Sequence, residues 1–282
     1  MNNTFDWNRF CKVVAKDFRN MWPMFGTTMI ILAALPFAVW LMMYVFGGGD
    51  VHMPADIRLV MIEVVAYIAA IMAPSRMYRT WNLHGEGIYY AMLPASKAEK
   101  FCSALLFSLI VCPLAVYLGS LVLDVFLTAL PFGPWQEWLW QGEMGFPFTF
   151  DMAALNEVTP RFSVDANVFM HFGTMYNVCC WIGYIATVLI FVFTSTIFKR
   201  HKVLQTILWL YVINFVLSIV LVPVMVAVFS DSSFVDWFMQ LPERMSGEAM
   251  ANWLFGIALG FDVLLVALFG WLSWRRLNRM AY

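Results

Sequence analysis

The sequence is short of charged residues. Only 12% of its 282 residues are Asp, Glu, Lys or Arg, whereas 62% are hydrophobic, so too few polar side chains exist to cover a soluble globule of this size. The charges balance to a net −1 at pH 7, which excludes a nucleic-acid binder because such a protein needs a basic surface. The composition therefore predicts an integral membrane protein.

The sequence also lacks the motifs that carry out catalysis. The glycine run at 47–49 is not followed by the Lys-Ser/Thr pair that holds phosphate and Mg²⁺. The four histidines are scattered, no His-Glu-x-x-His or Cys-x-x-Cys occurs, and the adjacent Cys179 and Cys180 are better explained as small core residues than as a redox pair. We therefore expect no catalytic residues, no metal site and no bound cofactor in this chain.

Six apolar stretches are long enough to cross a bilayer as helices, which need about 20 residues each. They cover residues 25–46, 57–74, 101–130, 168–198, 203–229 and 253–274, with a long outer loop at 131–167. The predicted fold is all-α and polytopic, and the whole chain, 1–282, forms a single transmembrane domain.

Basic residues are distributed unevenly between the loops. Fourteen of the 17 Lys and Arg fall on the side that holds both chain ends, and only Arg58, Arg161 and Arg244 fall on the other. Because short cytoplasmic loops are rich in Lys and Arg, both termini are predicted to lie in the cytoplasm. The predicted location of the chain is the inner membrane of the cell. Residues 1–21 separate into an apolar and a basic face at helical spacing, which predicts an amphipathic helix on the cytoplasmic membrane surface.

Three acidic residues fall inside predicted spans, where a charge is costly and commonly marks a functional site. Glu63 lies in the second span, Asp124 near the outer end of the third and Asp262 near the middle of the sixth. One interpretation is a path for substrate or ions. Asn214 in the fifth span would belong to the same path. The other interpretation is structural: Asp124 lies at the outer headgroup level, and Glu63 or Asp262 is protonated and hydrogen-bonded to a partner such as Asn214.

The spans also contain residues that shape helices. Pro36, Pro113 and Pro223 each remove a backbone hydrogen bond and predict a bend. Gly256 and Gly260 form a Gly-x-x-x-Gly, which favours close packing either within the bundle or between two copies.

The connection between the second and third spans contains a short apolar segment where a plain linker would be polar. Gly85 and Gly87 break regular secondary structure before the segment, and Pro94 ends it. Ser96 and Glu99 then predict a capping box, with the next helix beginning at residue 97. An apolar element outside the membrane is typical of a docking surface for another protein.

On these features the chain resembles the membrane subunit of a type-2 ABC exporter, which has six spans, an amphipathic helix before the first and a tight connection between the second and third. The stretch Leu-Pro-Ala-Ser-x-x-Glu-Lys-Phe at 93–101 is similar to one in permease-like proteins of the Bacteroides group. The resemblance implies that 88–99 is a coupling helix that receives the motion of a separate ATPase. The residues implied in that coupling are Ile88, Tyr89, Met92, Leu93, Pro94, Ser96 and Glu99.

The resemblance further implies a permease that moves an amphipathic or peptide-like substrate outward. It would work in the lipid membrane as a homodimer, or as a heterodimer with a second permease, while a separate ABC ATPase binds ATP and Mg²⁺. Two alternatives stay open. One is an ATP-independent, proton- or cation-coupled carrier with Glu63 and Asp262 as its titrating pair. The other is a membrane-embedded sensor or immunity protein that binds an antibiotic peptide through Trp-rich outer loops.

Overall fold

The structure is a computed structural model of the chain, and it describes most of the helical residues. The described residues are 5–46, 53–77, 94–129, 138–139, 144–145, 147, 149–150, 166–198, 201–230 and 247–279. Within them, six helices are long and apolar enough to cross a membrane. The prediction of a helical, multi-pass membrane protein is therefore confirmed in its helical content and in its number of candidate spans.

The described helices are numbered here in chain order. They are α1 (Trp7–Met21), α2 (Thr27–Phe46), α3 (Ala55–Met77), α4 (Lys97–Leu106), α5 (Cys112–Ala129), α6 (Ala166–Ile197), α7 (Lys202–Ser230) and α8 (Gly247–Arg279). A π-helical turn at Trp22–Gly26 joins α1 to α2, and a second at Phe107–Val111 joins α4 to α5. Each predicted span coincides with one of these helices or joined pairs.

The helices extend beyond the predicted spans at several ends. The second span, predicted at 57–74, is Ala55–Met77, and the sixth, predicted at 253–274, is Gly247–Arg279. Hydropathy marks only the apolar part of a helix. The helical hydrogen bonds continue through polar flanking residues such as Arg275.

The second span is the most enclosed of the six. In its most apolar window 56% of the residues are buried, against 6% in α7 and 0% in α8. Its sequence provides Ala66, Ala69, Ala70 and Ala73, all fully buried, and small side chains let neighbouring helices approach closely. This explains why the span has the weakest hydropathy signal: it contacts protein on most sides and needs fewer large apolar residues than a helix that faces lipid.

Helix α1 is attached to the bundle along one face. Val13, Asp17 and Met21, spaced four residues apart, are buried, whereas Phe5 and Phe18 are exposed. Part of the apolar face predicted for residues 1–21 therefore contacts the bundle, and another part is an exposed aromatic surface. Its orientation relative to a membrane plane stays a prediction.

A glycine in the π-helical turn between α1 and α2 lies in close contact with an aromatic ring. A Cβ atom at Gly26 would lie 3.0 Å from Cδ2 of Trp22, which is too close for an ordinary contact. The indole of Trp22 therefore packs directly over the backbone at Gly26, and a larger residue would displace it.

Contacts identify the two ends of the bundle. At one end, called the α1 end here, the backbone N–H of Asp6 donates to Glu99 and Nζ of Lys97 donates to the carbonyl of Asn278 at 2.8 Å, so both described chain ends lie together. At the opposite end, the hairpin end, β1 (Met144–Gly145) pairs antiparallel with β2 (Thr149–Phe150). This two-residue hairpin departs from the all-α prediction, since strands this short leave no periodic pattern.

Candidate functional site

The predicted outer acid, Asp124, lies in a buried ion pair. Its Oδ1 is 3.3 Å from Nη1 of Arg58, and both residues are almost completely buried between α3 and α5. The same Nη1 lies 3.5 Å from Oγ1 of Thr128. Arg58 was assigned to an outer loop from the sequence, yet it belongs to the first turn of α3, within the bundle. This geometry favours a structural role for Asp124 as the buried partner of Arg58, a role that the sequence did not indicate.

A cavity of about 430 Å³ lies between α3, α6 and α8 and reaches Pro147 in the turn of the hairpin. Among the described residues that line it, none is Lys, Arg or His. Its polar lining consists of Tyr67, Tyr176, Cys180, Tyr184, Thr187 and Asp262. The cavity thus combines tyrosine rings with a carboxylate at mid-helix positions.

Asp262 contributes the carboxylate that faces this cavity. It is half-buried on α8, and its Oδ2 lies 3.6 Å from the point that a Cβ atom at Gly183 would occupy. The Asp262 carboxylate therefore lies beside Gly183 of α6, at the distance of an ordinary van der Waals contact from a Cβ atom there. Asp262 also interacts electrostatically with Tyr67 on α3, which places it between the three helices.

Glu63 lies behind the cavity wall and is completely buried. It is one helical turn from Tyr67 on α3, and it interacts electrostatically with Tyr176 and Cys180, two lining residues of α6. Asp262 therefore lines the cavity, whereas Glu63 does not line it and interacts with two of its lining residues.

Two of the three tyrosines of the cavity, Tyr67 and Tyr184, are held in place by hydrogen bonds. Pro113 has no N–H to donate to the carbonyl of Leu109, four residues earlier, and the hydroxyl of Tyr184 donates to that oxygen at 2.7 Å. Thr187 donates its hydroxyl to the carbonyl of Gly183 at 2.9 Å and shares a further hydrogen bond with Tyr67. The rings of Tyr67 and Tyr184 meet edge to face with centroids 5.5 Å apart.

Asn214 and the two glycines of the sixth span lie elsewhere. Asn214 is exposed on α7, and its amide donates to the carbonyl of Leu210 on the same helix at 3.1 Å. A Cβ atom at Gly256 or Gly260 would meet no atom of the described residues within 4 Å. Close packing of this motif within the described bundle is therefore not observed, and the motif faces outward.

The predicted docking segment falls mainly outside the described residues, which exclude Ile88, Tyr89, Met92 and Leu93. Of the remaining positions, Pro94 is exposed and Ser96 is buried. The Trp-rich outer loop is also described only in part, since Trp135 and Trp140 lie outside the described residues and Trp138 lies within them.

The predicted capping box is confirmed, and its glutamate has an additional role. The N–H of Glu99 donates to Oγ of Ser96, and the N–H of Ser96 donates to Oε2 of Glu99 at 2.8 Å. The other oxygen, Oε1, accepts from the N–H of Asp6 at 2.9 Å and lies 3.3 Å from Nη2 of Arg9. One fully buried carboxylate thus connects the beginning of α1 to the beginning of α4.

A second contact between the same helices was not predicted. Oγ of Ser103 on α4 donates to Oδ2 of Asp17 on α1 at 2.7 Å, and both residues are buried. The available signal was an acidic residue on the otherwise apolar face of α1, in register with Val13 and Met21. We call the contacts of Glu99 and Asp17 with their partners the α1–α4 joint.

Comparison with known proteins gives no family assignment. No protein-family model matches the chain, no curated protein is significantly similar to it, and no solved structure matches it. Within the described residues, no group of three or more His, Cys, Asp or Glu side chains is placed to hold a metal ion. The functional interpretation therefore depends on the residues and geometry described above.

Proposed function

We propose that this chain is the permease subunit of an ATP-driven exporter of the type-2 ABC kind, which works with a separately encoded ATPase in the inner membrane. The observation that carries the proposal is the α1–α4 joint. Its Glu99 belongs to the predicted coupling helix 88–99 and lies shortly after the apolar part of that helix at 88–93, at the end of the bundle that also holds the described end of α8.

A joint of this kind suits a coupling role. A helix with a frayed first turn would not pass on a displacement of the segment at 88–93 by a partner, because the loose turn would absorb the movement. Instead α4 begins with a complete capping box and is fastened to α1 by the buried carboxylate of Glu99. The helix then continues through the π-helical turn at Phe107–Val111 into α5, whose neighbours include α2 and α3. Movement at the segment would therefore reach both α1 and the bundle.

The proposal places the energy source in another chain. The sequence has no phosphate-binding loop, so ATP and Mg²⁺ belong to the partner ATPase. A second permease copy completes the transporter in this proposal. The outward-facing Gly256 and Gly260 favour α8 as part of that contact, because glycines allow helices to approach closely.

The proposal is tested by removing the apolar docking surface. With both Ile88 and Met92 replaced by Asp, the melting temperature of the isolated permease should be nearly unchanged, because the sequence predicts this segment outside the six spans. The affinity for the ATPase should fall at least tenfold, since burying two carboxylates in an apolar interface costs more than the roughly 1.4 kcal/mol that a factor of ten represents.

The matched control replaces Ile88 and Met92 by Leu, which keeps the surface apolar and should preserve binding. A permease that copurifies with no ATPase would contradict the proposal. So would an Asp variant that loses stability in the absence of any partner, because that result would show the segment packing under its own bundle.

A second candidate function is an ATP-independent, cation-coupled carrier. It is favoured by one observation: Asp262 lines the cavity, and the buried Glu63 interacts electrostatically with Tyr176 and Cys180 in the cavity wall. Replacing Glu63 by Gln and Asp262 by Asn together should abolish coupled transport by such a carrier. Transport that survives the double substitution, or that requires ATP, excludes this candidate.

A further inference from the structure

We infer that the cavity between α3, α6 and α8 is a binding site for a small organic cation with an apolar or aromatic body. The inference rests on the proposed function in one respect: it makes this cation the class of molecule that the permease exports. It narrows the broader expectation of an amphipathic or peptide-like substrate.

The charge of the cavity is the first argument. Asp262 lines it directly, Glu63 lies behind the wall formed by Tyr176 and Cys180, and no described lining residue is basic. Arg58, the buried guanidinium nearest in sequence to Glu63, is engaged with Asp124 on α5. A carboxylate at membrane depth attracts a cation more strongly than one in water, because the surroundings screen the charge poorly.

The aromatic lining is the second argument. Three tyrosines, Tyr67, Tyr176 and Tyr184, face the same space as Asp262. Organic cations, and quaternary ammonium groups above all, bind to the faces of aromatic rings, and a nearby carboxylate adds to that attraction. Tyr184 is almost fully buried and fixed by the Leu109 carbonyl, whereas Tyr67 and Tyr176 are partly exposed and supply the accessible aromatic surface.

The size of the cavity is the third argument. A volume of about 430 Å³ falls in the range of small-molecule sites and is far larger than a bare metal ion requires. The described residues also supply no three-ligand cluster for a metal ion. An inorganic cation would leave most of the cavity unfilled, whereas an organic cation with one or several rings fits it.

The test uses the purified full-length chain in detergent, without ATPase or ATP. Tetraphenylphosphonium is the probe, and tetraphenylborate is its control, since the two ions have nearly the same size and shape and opposite charge. Equilibrium dialysis should show saturable binding of the phosphonium and at least tenfold weaker binding of the borate.

The variants separate charge from shape. Asp262→Asn should weaken phosphonium binding at least tenfold, while Asp56→Asn, which removes an exposed acid from the first turn of α3 outside the cavity, should leave it unchanged. Tyr67→Phe keeps the ring and should bind within about threefold of the original chain, whereas Tyr67→Leu should bind clearly more weakly. Gly183→Leu keeps every charge and should block binding by filling the space beside Asp262.

Equal binding of the phosphonium and the borate would overturn the inference, and so would an Asp262→Asn variant that binds as well as Asp56→Asn. If Asp262→Asn fails to fold, Gly183→Leu decides the question. Phosphonium binding that survives in a folded Gly183→Leu variant would place the probe elsewhere. Because the assay contains no ATPase, its failure removes the cation site alone, and copurification tests the permease proposal separately.

Discussion

Nη1 of Arg58 lies 3.3 Å from Oδ1 of Asp124, and this ion pair fastens α3 to α5 inside the hairpin end of the bundle. The two residues are 66 positions apart in the sequence and are 1% and 2% exposed. Desolvation makes a buried pair costly to form, yet the loss of one partner is worse because it leaves an uncompensated charge.

This asymmetry predicts the behaviour of three variants. Arg58→Met alone, or Asp124→Leu alone, should lower the free energy of unfolding by about 3–5 kcal/mol. The double variant should recover most of that loss, since it removes both charges and retains similar side-chain volume. Unfolding of each variant in the same detergent measures the cycle, and a double variant no more stable than the singles would show that the pair itself contributes the stability.

The sequence was sufficient for features that depend on neighbouring residues. Hydropathy located all six candidate spans, and the Ser96–Glu99 spacing located the beginning of α4. Both signals arise within a single helix, where every interacting residue lies a few positions away.

Features that join distant parts of the chain were not predictable in the same way. Arg58 was counted as a loop residue because it lies one position into an apolar run, and its partner is on another helix. Glu99 was assigned to a docking surface, whereas its carboxylate also accepts a hydrogen bond from the Asp6 N–H, 93 positions away. The position of Asp262 in a cavity whose wall includes partners of Glu63 similarly depends on how α3, α6 and α8 pack, which periodicity does not specify.

The α1–α4 joint predicts local release of α1. Glu99→Ala removes the acceptor of the Asp6 N–H and the partner of Arg9, and it also removes the acceptor of the Ser96 N–H in the capping box of α4. The loss should be about 1–3 kcal/mol, shared between α1 and the first turn of α4. Hydrogen exchange of residues 7–21 should accelerate, with exchange in α3 unchanged.

A second variant tests whether the faster hydrogen exchange of α1 depends on which contact is removed. Ser103→Ala removes the donor to Asp17 further along α1 and retains Glu99, so exchange should accelerate less and mainly near residue 17. If Glu99→Ala leaves the exchange of α1 unaltered, the joint does not fasten this helix and the coupling argument loses its main support.

The hydrogen bond from Tyr184 to the Leu109 carbonyl predicts an interaction between Tyr184 and Pro113. Tyr184→Phe should lower stability by about 0.5–1.5 kcal/mol, because the carbonyl loses its side-chain donor. In a Pro113→Ala background, residue 113 regains an N–H able to donate toward that carbonyl, and the same Tyr184→Phe change should cost clearly less. Equal costs in the two backgrounds would show that proline does not create the acceptor that Tyr184 uses.

The outward-facing glycines predict where two copies meet. No described atom lies within 4 Å of a Cβ atom added at Gly256 or Gly260, so Gly256→Leu with Gly260→Leu should leave the stability of one chain unchanged or slightly higher, as leucine favours helix more than glycine. If α8 packs against a second copy through these glycines, the same double variant should dissociate the dimer.

Ala258→Leu is the matched control, because residue 258 projects from nearly the opposite side of the helix and is also exposed. Light scattering of each purified variant in detergent measures the outcome. A dimer that persists in the double-leucine variant, or that dissociates equally in Ala258→Leu, would exclude this face of α8 as the contact. An original chain that is monomeric by itself would instead favour the heterodimer.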